Sequence, residues 1–209
     1  MRAWRVAALA AAVATLTSAC VSLDTVEMSR PAVGPEGETQ PWLDAPRVRL
    51  TAYARHDRIV SSLVGPGLIV PLPIIPLSPP AKDPGRHFWI DVGVDPEGEE
   101  FSLDVRRIRL HLPDRPPLAA SAFVGPVMYD LYRTGQIAIC HAYREIERAP
   151  AVVAMTELGC VSLRFDVTPP PTDARFSLGV DGLSNRGNLL APVLIPFEQR
   201  RFRRLIWAP

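Results

Sequence analysis

The sequence predicts an all-β protein built as an antiparallel β-sandwich. Three observations indicate this fold: apolar residues alternate with polar ones over several short segments, turn-forming sequences separate those segments, and proline is abundant. Proline accounts for 23 of the 209 residues, about twice the ~5% average of proteins. It disfavours long helices because it lacks a backbone N–H and clashes with the preceding turn. The fold class therefore rests on a period of two in the apolar pattern.

The first 19 residues have the pattern of an export signal peptide. Arg2 and Arg5 precede an uncharged stretch, residues 6–19, which is too short to cross the ~30 Å hydrocarbon core of a membrane as a helix. The segment ends in LTSAC, with Cys20 last. This ending resembles the lipobox of bacterial lipoproteins, in which small residues precede a cysteine that becomes the acylated N-terminus. Thr17 departs from the pattern, because the family usually has leucine there.

The lipoprotein resemblance implies an address and an anchor. It implies lipidation of Cys20 and attachment to a membrane by two or three acyl chains, which meets the need for more than one lipid in stable anchoring. Val21 and Ser22 follow without an acidic residue, and in the family this favours the outer membrane, facing the periplasm, over the inner membrane or the cell surface. The alternatives are a cleaved signal peptide with an incidental cysteine and a retained membrane helix.

The net charge gives no reason to expect nucleic acid as a partner. The chain carries +1 at pH 7, and removal of residues 1–19 changes this to −1 because only Arg2 and Arg5 are lost. A near-neutral chain does not attract a polyanion by its overall field. The remaining ~190 residues suffice for one domain with its own core.

Residues 20–46 are predicted to be a lipidated cysteine followed by an irregular tether. They show no sustained period of 2 or 3.6 and contain prolines at 31, 35, 41 and 46. A flexible chain of ~25 residues spans ~25–30 Å, which would hold the domain clear of the membrane. The alternative is an irregular arm that packs along the domain, with Trp42 and Leu43 docked.

Residues 47–209 are predicted to form the sandwich domain, because alternating apolar residues there mark half-buried strands. Turn sequences such as DPEGEE, LPDRPP and SNRG separate the strands. The pattern resembles an immunoglobulin-like architecture without the cysteine and tryptophan spacing of true immunoglobulin domains. The alternating sets are Val48, Leu50, Ala52 and Ala54; Phe88, Ile90, Val92 and Val94; Val161, Leu163, Phe165 and Val167; and Phe176, Leu178 and Val180.

The apolar pattern changes phase between residues 101 and 112. Phe101, Leu103 and Val105 occupy odd positions, whereas Ile108, Leu110 and Leu112 occupy even ones. One extra residue near Arg106 and Arg107 would produce this change. A β-bulge or a strand that crosses between sheets is therefore predicted here.

Residues 59–81 are uncharged until Lys82 and are interrupted by six prolines. Proline disrupts a strand ladder, so the segment is predicted to be a loop. It either folds over an open end of the sandwich or forms an exposed patch for a protein partner or a membrane, since large exposed apolar patches mark interaction sites. The predicted interaction residues are Leu68, Ile69, Val70, Leu72, Ile74, Ile75 and Leu77.

Two cysteines remain if Cys20 is lipidated. A hairpin centred on Pro150 would place Cys140 opposite Cys160 and would bring Ile139 and Val161 together. A disulfide between the two cysteines is therefore predicted, as expected in an oxidising compartment. Two buried free thiols or a redox pair are the alternatives.

The sequence contains no recognisable catalytic constellation. Its histidines, His56, His87, His111 and His141, are far apart, and there is no HExxH or GxSxG motif. The acidic residues around DPEGEE offer oxygen ligands for calcium, but a solvated hairpin tip explains them better. Arg200, Arg201, Arg203 and Arg204 near the C-terminus suit an edge strand protected by charge, or contact with anionic lipid.

The predicted function is that of a noncatalytic envelope lipoprotein, a structural or protein-interaction module with no catalytic residue, metal or cofactor. Its predicted partners are the membrane, through the lipid anchor, and an envelope protein, through residues 59–81. The alternatives are a periplasmic domain that binds a small ligand or glycan, and an enzyme with an unrecognised site.

Overall fold

The computed structural model describes residues 20–32, 43–45, 48–56, 58–66, 75–77, 85–97, 99–128 and 151–208. Among these residues, the secondary structure consists of β-strands and one short 3-10 helix. All the strand pairs with a described register are antiparallel. The prediction of an antiparallel all-β protein is confirmed.

The strands are numbered along the chain. The first ten are β1 (Cys20–Pro31), β2 (Leu43–Ala45), β3 (Val48–Ala54), β4 (Arg58–Pro66), β5 (Ile75–Leu77), β6 (Phe88–Asp95), β7 (Phe101–Asp104), β8 (Ile108–His111), β9 (Leu118–Ala119) and β10 (Ala122–Met128). The 3-10 helix lies between β7 and β8, at Val105–Arg107. The last six strands are β11 (Val152–Met155), β12 (Gly159–Phe165), β13 (Phe176–Val180), β14 (Leu183–Asn185), β15 (Asn188–Leu189) and β16 (Val193–Ala208).

The chain divides into two compact units. Unit 1 comprises Met1–Glu27, Arg58–Lys82 and Arg201–Pro209, and unit 2 comprises Met28–Asp57 and Asp83–Arg200. This differs from the predicted single domain over residues 47–209. The physical reason is that β1, which precedes that range, pairs with β4, so segments distant in sequence share one unit.

The predicted irregular tether is wrong for residues 20–31, which form β1. Cys20 lies opposite Pro66, and the antiparallel register continues toward Arg58 with a shift between Thr25 and Val26. A shift of one residue moves the apolar set to the other parity. This explains why the segment shows no single period of two although it is a strand.

The predicted loop over residues 59–81 is also wrong in part, because β4 and β5 pair within it. Val64 lies opposite Ile75 and Ser62 lies opposite Leu77. β5 is the outer strand of its sheet, and an outer strand tolerates a proline such as Pro76 because one of its edges has no partner. The predicted interaction residues Leu68, Ile69, Val70, Leu72 and Ile74 lie outside the described residues.

Unit 2 contains the main core. Its sheets have the orders β10-β12-β6-β3-β2, β11-β7-β14-β15 and β16-β13-β8-β9. The predicted alternating residues on β3, β6, β12 and β13 are buried in one hydrophobic cluster. Val167 lies just beyond β12 and packs against this cluster while partly exposed.

The predicted phase change near Arg106 and Arg107 is confirmed as a crossing between sheets. β7 pairs with β11 and β14, whereas β8 pairs with β13. The 3-10 helix between them is capped by Asp104, whose side chain accepts a hydrogen bond from the Arg106 N–H. This turn supplies the extra residue that moves the apolar set to the other parity.

The predicted hairpin that places Cys140 opposite Cys160 is wrong. Cys160 lies between Gly93 of β6 and Val127 of β10, so both ladder positions beside it are occupied. β11, which follows the proposed turn, pairs with β7 instead. Cys140 lies outside the described residues, and the disulfide stays a prediction.

Candidate functional site

The outer face of the β16-β13-β8 sheet in unit 2 is the candidate site. Alternate residues of these strands are buried in the core, and the residues between them are more exposed. Gly179 on β13 lies between Arg109 on β8 and Leu194 on β16. The neighbouring row consists of His111, Ser177 and Pro196. Basic, small and apolar residues therefore meet on one sheet surface, which we call the outer face.

Three adjoining grooves lie along the outer face. The first, of about 390 Å³, is lined by Arg109, His111 and Gly179. The second, of about 560 Å³, shares His111 with the first and Pro113 with the third, which measures about 580 Å³ and reaches Pro169–Pro171. These volumes fall in the ~300–1,000 Å³ range of ligand pockets. All three are open to solvent, which suits contact with an extended partner.

Gly179 sets the floor of the first groove. An ideal Cβ at this position would lie 2.9 Å from Nε2 of His111, closer than side-chain carbon atoms normally approach. The absence of a side chain therefore lets the imidazole lie across β13. Its close approach makes His111 part of the wall of both the first and the second groove.

The grooves carry an excess of positive charge. Asp181 is paired with Arg107 at 2.9 Å, and Glu198 is paired with Arg200. These carboxylates are thus already neutralised by arginines. Three further arginines line the grooves and have no ion pair among the described residues: Arg86, Arg115 and Arg175.

Asp166, in the third groove, is held in its ionised form. A hydrogen bond from Ser121 lowers the pKa of its carboxyl group, and the positive charge of Arg164 and the contact with His87 lower the pKa further, against a smaller opposing effect of desolvation. Nδ1 of His87 lies 3.0 Å from the Asp166 carboxylate. The acidic group of this groove is therefore also engaged by basic neighbours.

A polar cluster lies on the face of the β12-β6-β3 sheet opposite the main core. Asp91 of β6 is 1% exposed and accepts hydrogen bonds from Nε and Nη2 of Arg55 at 2.8 and 2.7 Å and from Oγ of Ser162 at 2.6 Å. Arg55 also lies over the ring of Trp89, 5.7 Å from its centroid. The guanidinium group thus satisfies a buried carboxylate, which is a stabilising arrangement.

Ser29 and His56 have the separation of a catalytic dyad but not its chemistry. Oγ of Ser29 lies 2.8 Å from Nε2 of His56, and its hydroxyl donates to the carbonyl oxygen of Thr172. Ser29 is completely buried, so no substrate reaches this oxygen. The imidazole packs edge-on against Phe88. Asp57, which follows His56 in the sequence, lies outside the described residues.

The acidic residues around the β6–β7 turn have basic or amide partners. Asp95 and Glu97 contact Arg49, and Glu99 accepts a hydrogen bond from Asn185. Within the described ranges, no group of three histidine, cysteine or acidic residues is placed to hold a metal ion. Each of these side chains therefore has an explanation within the fold.

The structure does not bring the sequence-predicted site residues together with the outer face. Cys20 is the first residue of β1 in unit 1, whereas Cys160 is buried on β12 in unit 2. Ile75 and Leu77 are in β5, also in unit 1. His87 and His111 lie in unit 2, and His141 lies outside the described residues.

Comparison with known proteins gives no relative from which a function could be transferred. No protein-family model, no curated protein and no solved structure matches the chain. Among the described residues, no helix is long and apolar enough to cross a membrane.

The sequence analysis missed the outer face. A signal was present, because the alternation that buries Leu178 and Val180 also assigns Ser177 and Gly179 to the opposite face of β13. The alternation does not say which strands lie beside β13. The neighbours β8 and β16 were needed to bring His111 and Leu194 next to Gly179.

Proposed function

We propose that this protein is a membrane-anchored lipoprotein of the cell envelope that acts as a noncatalytic structural or protein-interaction module. The observation that carries the proposal is the position of Cys20, which ends the lipobox-like LTSAC sequence and begins β1. An acyl group on this residue would join the membrane directly to a sheet. The outer membrane, facing the periplasm, is the proposed location.

Protein interaction through the outer face is supported by its composition. Leu194 is 58% exposed at the centre of the grooves, beside the exposed Pro196 and close to arginines at the rim. Interfaces of soluble proteins combine an apolar centre with a polar rim and are enriched in arginine. The apolar residues of segment 59–81, Leu68 to Leu77, provide a second proposed contact with an envelope protein.

We also propose an immunoglobulin-like β-sandwich as the arrangement of the sheets in unit 2. This is supported by the shared core, to which β12 of one sheet contributes Leu163 and Phe165 and β13 of another contributes Phe176 and Leu178. Inward-facing residues from two sheets that fill one core are the defining feature of a sandwich.

Replacement of Cys20 by alanine is expected to abolish acylation and to release the mature chain from membranes or leave unprocessed precursor. The thiol is the only group at this position that can accept the lipid. Metabolic labelling with a fatty-acid analogue, followed by membrane fractionation, measures both effects. Unchanged lipid incorporation in Cys20→Ala would refute the lipoprotein proposal.

Replacement of Leu194 by glutamate is expected to remove at least tenfold of the partner crosslinked in envelopes, since a charge at the centre of an apolar contact must be desolvated. Leu189→Glu is the matched control, because Leu189 is 53% exposed and also lies in unit 2. The measurement is quantitative recovery of crosslinked complexes. Equal recovery from both variants would contradict a role of the outer face.

Binding of a small ligand or glycan is the second candidate function, and the volume of the outer-face grooves favours it. If the wild-type protein crosslinks to no protein in the envelope, this candidate replaces protein interaction. The lipid anchor is common to both candidates and is tested separately by the labelling of Cys20.

A further inference from the structure

The strands of unit 1 end together at one edge of their sheet. β1 and β16 are neighbours, and two contacts set their relative direction. The N–H of Ala32 donates to the carbonyl oxygen of Pro196, and Nε of Arg201 donates to Glu27 at 3.0 Å. A step from 196 to 201 along β16 thus matches a step from 32 back to 27 along β1, so the two strands are antiparallel.

The same register continues to the strand ends. Cys20 is as far before Glu27 as Ala208 is after Arg201, so the first residue of β1 and the last residue of β16 reach the same edge. Cys20 is also opposite Pro66, the last residue of β4. We call this edge, made of residues 20–23, 63–66 and 203–208, the Cys20 edge.

The Cys20 edge differs in charge from the rest of the unit 1 sheet. Its three strand segments read CVSL, LVGP and RRLIWA, with two arginines and no acidic residue. The carboxylates begin further from the edge and are internally satisfied. Asp24 accepts hydrogen bonds from Ser22 and Ser62 at 3.1 and 2.6 Å, and Glu27 is bound by Arg201.

Two exposed side chains near the end of β16 suit a lipid surface. Arg203 is exposed and has no hydrogen bond or ion pair among the described residues. Leu205 is 53% exposed and lies two residues further, hence on the same side of the strand. Trp207 follows after the same spacing in the sequence, and tryptophan is enriched at membrane interfaces.

We propose that the Cys20 edge rests on the bilayer to which the lipid anchors the protein, with Arg203 at anionic phospholipid head groups and Leu205 at the boundary of the acyl chains. The proposal rests on the proposed lipidation of Cys20. It adds that the membrane is bound by the sheet itself and not only by acyl chains. Anionic head groups match the unopposed positive charge of the edge, and burial of Leu205 would add hydrophobic stabilisation.

The depth of the edge can be measured in the lipidated protein. In Leu205→Cys labelled with the fluorophore NBD and reconstituted in phosphatidylglycerol–phosphatidylethanolamine vesicles, we expect blue-shifted emission and quenching by nitroxide-labelled lipid. Leu189→Cys is the control, since Leu189 has the same exposure but lies in unit 2. The protein without an added cysteine gives the background labelling. Emission at 205 as water-like and unquenched as at 189 would overturn the proposal.

The charge contribution is tested without the lipid anchor. The mature chain, residues 20–209 with Cys20→Ser, is expected to cosediment with phosphatidylglycerol vesicles and much less with phosphatidylcholine vesicles. Arg203→Glu should weaken binding about 30-fold, because each unit of charge near an anionic surface contributes a factor of ~5. Arg115→Glu, an exposed change in unit 2, should weaken it less.

The results separate the two proposals. If Cys20 is not acylated but the unlipidated chain binds anionic vesicles through Arg203, the anchor is refuted and the membrane-binding edge stands. If Cys20 is acylated but Arg203→Glu and Arg115→Glu bind equally, the anchor stands and the membrane-binding edge is refuted. Circular dichroism of each variant verifies that the change leaves the fold intact.

Discussion

Replacement of Asp91 by alanine is expected to lower the free energy of unfolding by about 3 kcal/mol. The carboxylate is 1% exposed and accepts hydrogen bonds from Arg55 and Ser162. Its loss leaves a buried hydroxyl and a guanidinium group without their acceptor. Removal of one partner of a buried ion pair costs ~3–5 kcal/mol, and the lower value applies because the Arg55 side chain is 31% exposed and keeps contact with water.

Asp181→Ala is the matched control for Asp91→Ala. Asp181 is also paired with an arginine, Arg107, but both side chains are more than 40% exposed. Exposed pairs contribute ~0–1 kcal/mol, so the control should unfold nearly as the wild type does. Denaturant unfolding followed by circular dichroism at pH 7 gives both values. Equal losses in the two variants would show that burial of Asp91 does not set its contribution.

Replacement of Gly182 by alanine is expected to cost about 2 kcal/mol of stability. An ideal Cβ at this position would lie 2.4 Å from the carbonyl oxygen of Asp104 and 3.2 Å from Cβ of Arg107. The carbonyl oxygen belongs to the end of β7, where the N–H of Asp104 donates to the carbonyl oxygen of Gly182 at 2.8 Å. The backbone must shift to admit the methyl group, and overpacking of this kind costs ~1–3 kcal/mol.

Gly179→Ala separates this backbone conflict from a general effect of losing glycine. Its Cβ would meet the end of the His111 side chain, which can rotate away. Alanine also reduces the entropy of the unfolded chain, which stabilises by ~0.4–1 kcal/mol where the site tolerates it. Thermal unfolding should therefore place Gly179→Ala near the wild type and Gly182→Ala clearly below it. The reverse order would contradict the close approach at Gly182.

Much of the strand pattern in unit 2 could be predicted because alternation there is uninterrupted. Val92 and Val94 on β6 and Leu163 and Phe165 on β12 are buried as expected. The phase change near Arg106 was also readable, since a crossing between sheets leaves a change of parity in the sequence. The turn SNRG contains Arg186 and Gly187, both with positive φ, as a two-residue hairpin turn requires.

The elements that were missed lack such a pattern. The shift after Thr25 hides β1, and its partner β4 lies about thirty residues later in the proline-rich segment. The expected hairpin of Cys140 and Cys160 failed because a local pairing that satisfies apolar alternation is not the only one available to β12. Its two neighbours, β6 and β10, come from elsewhere in the chain.

The sequence by itself determined the all-β class, the inward residues of the main strands and the lipobox-like ending at Cys20. These depend on neighbouring residues, whose spacing specifies which face of a strand is apolar. Only the tertiary structure decided which strands are adjacent, and therefore that Gly179 lies between Arg109 and Leu194 and that Cys20 begins a paired strand. Strand pairing depends on the packing of distant segments against a common core, and alternation within one segment carries no information about its partners.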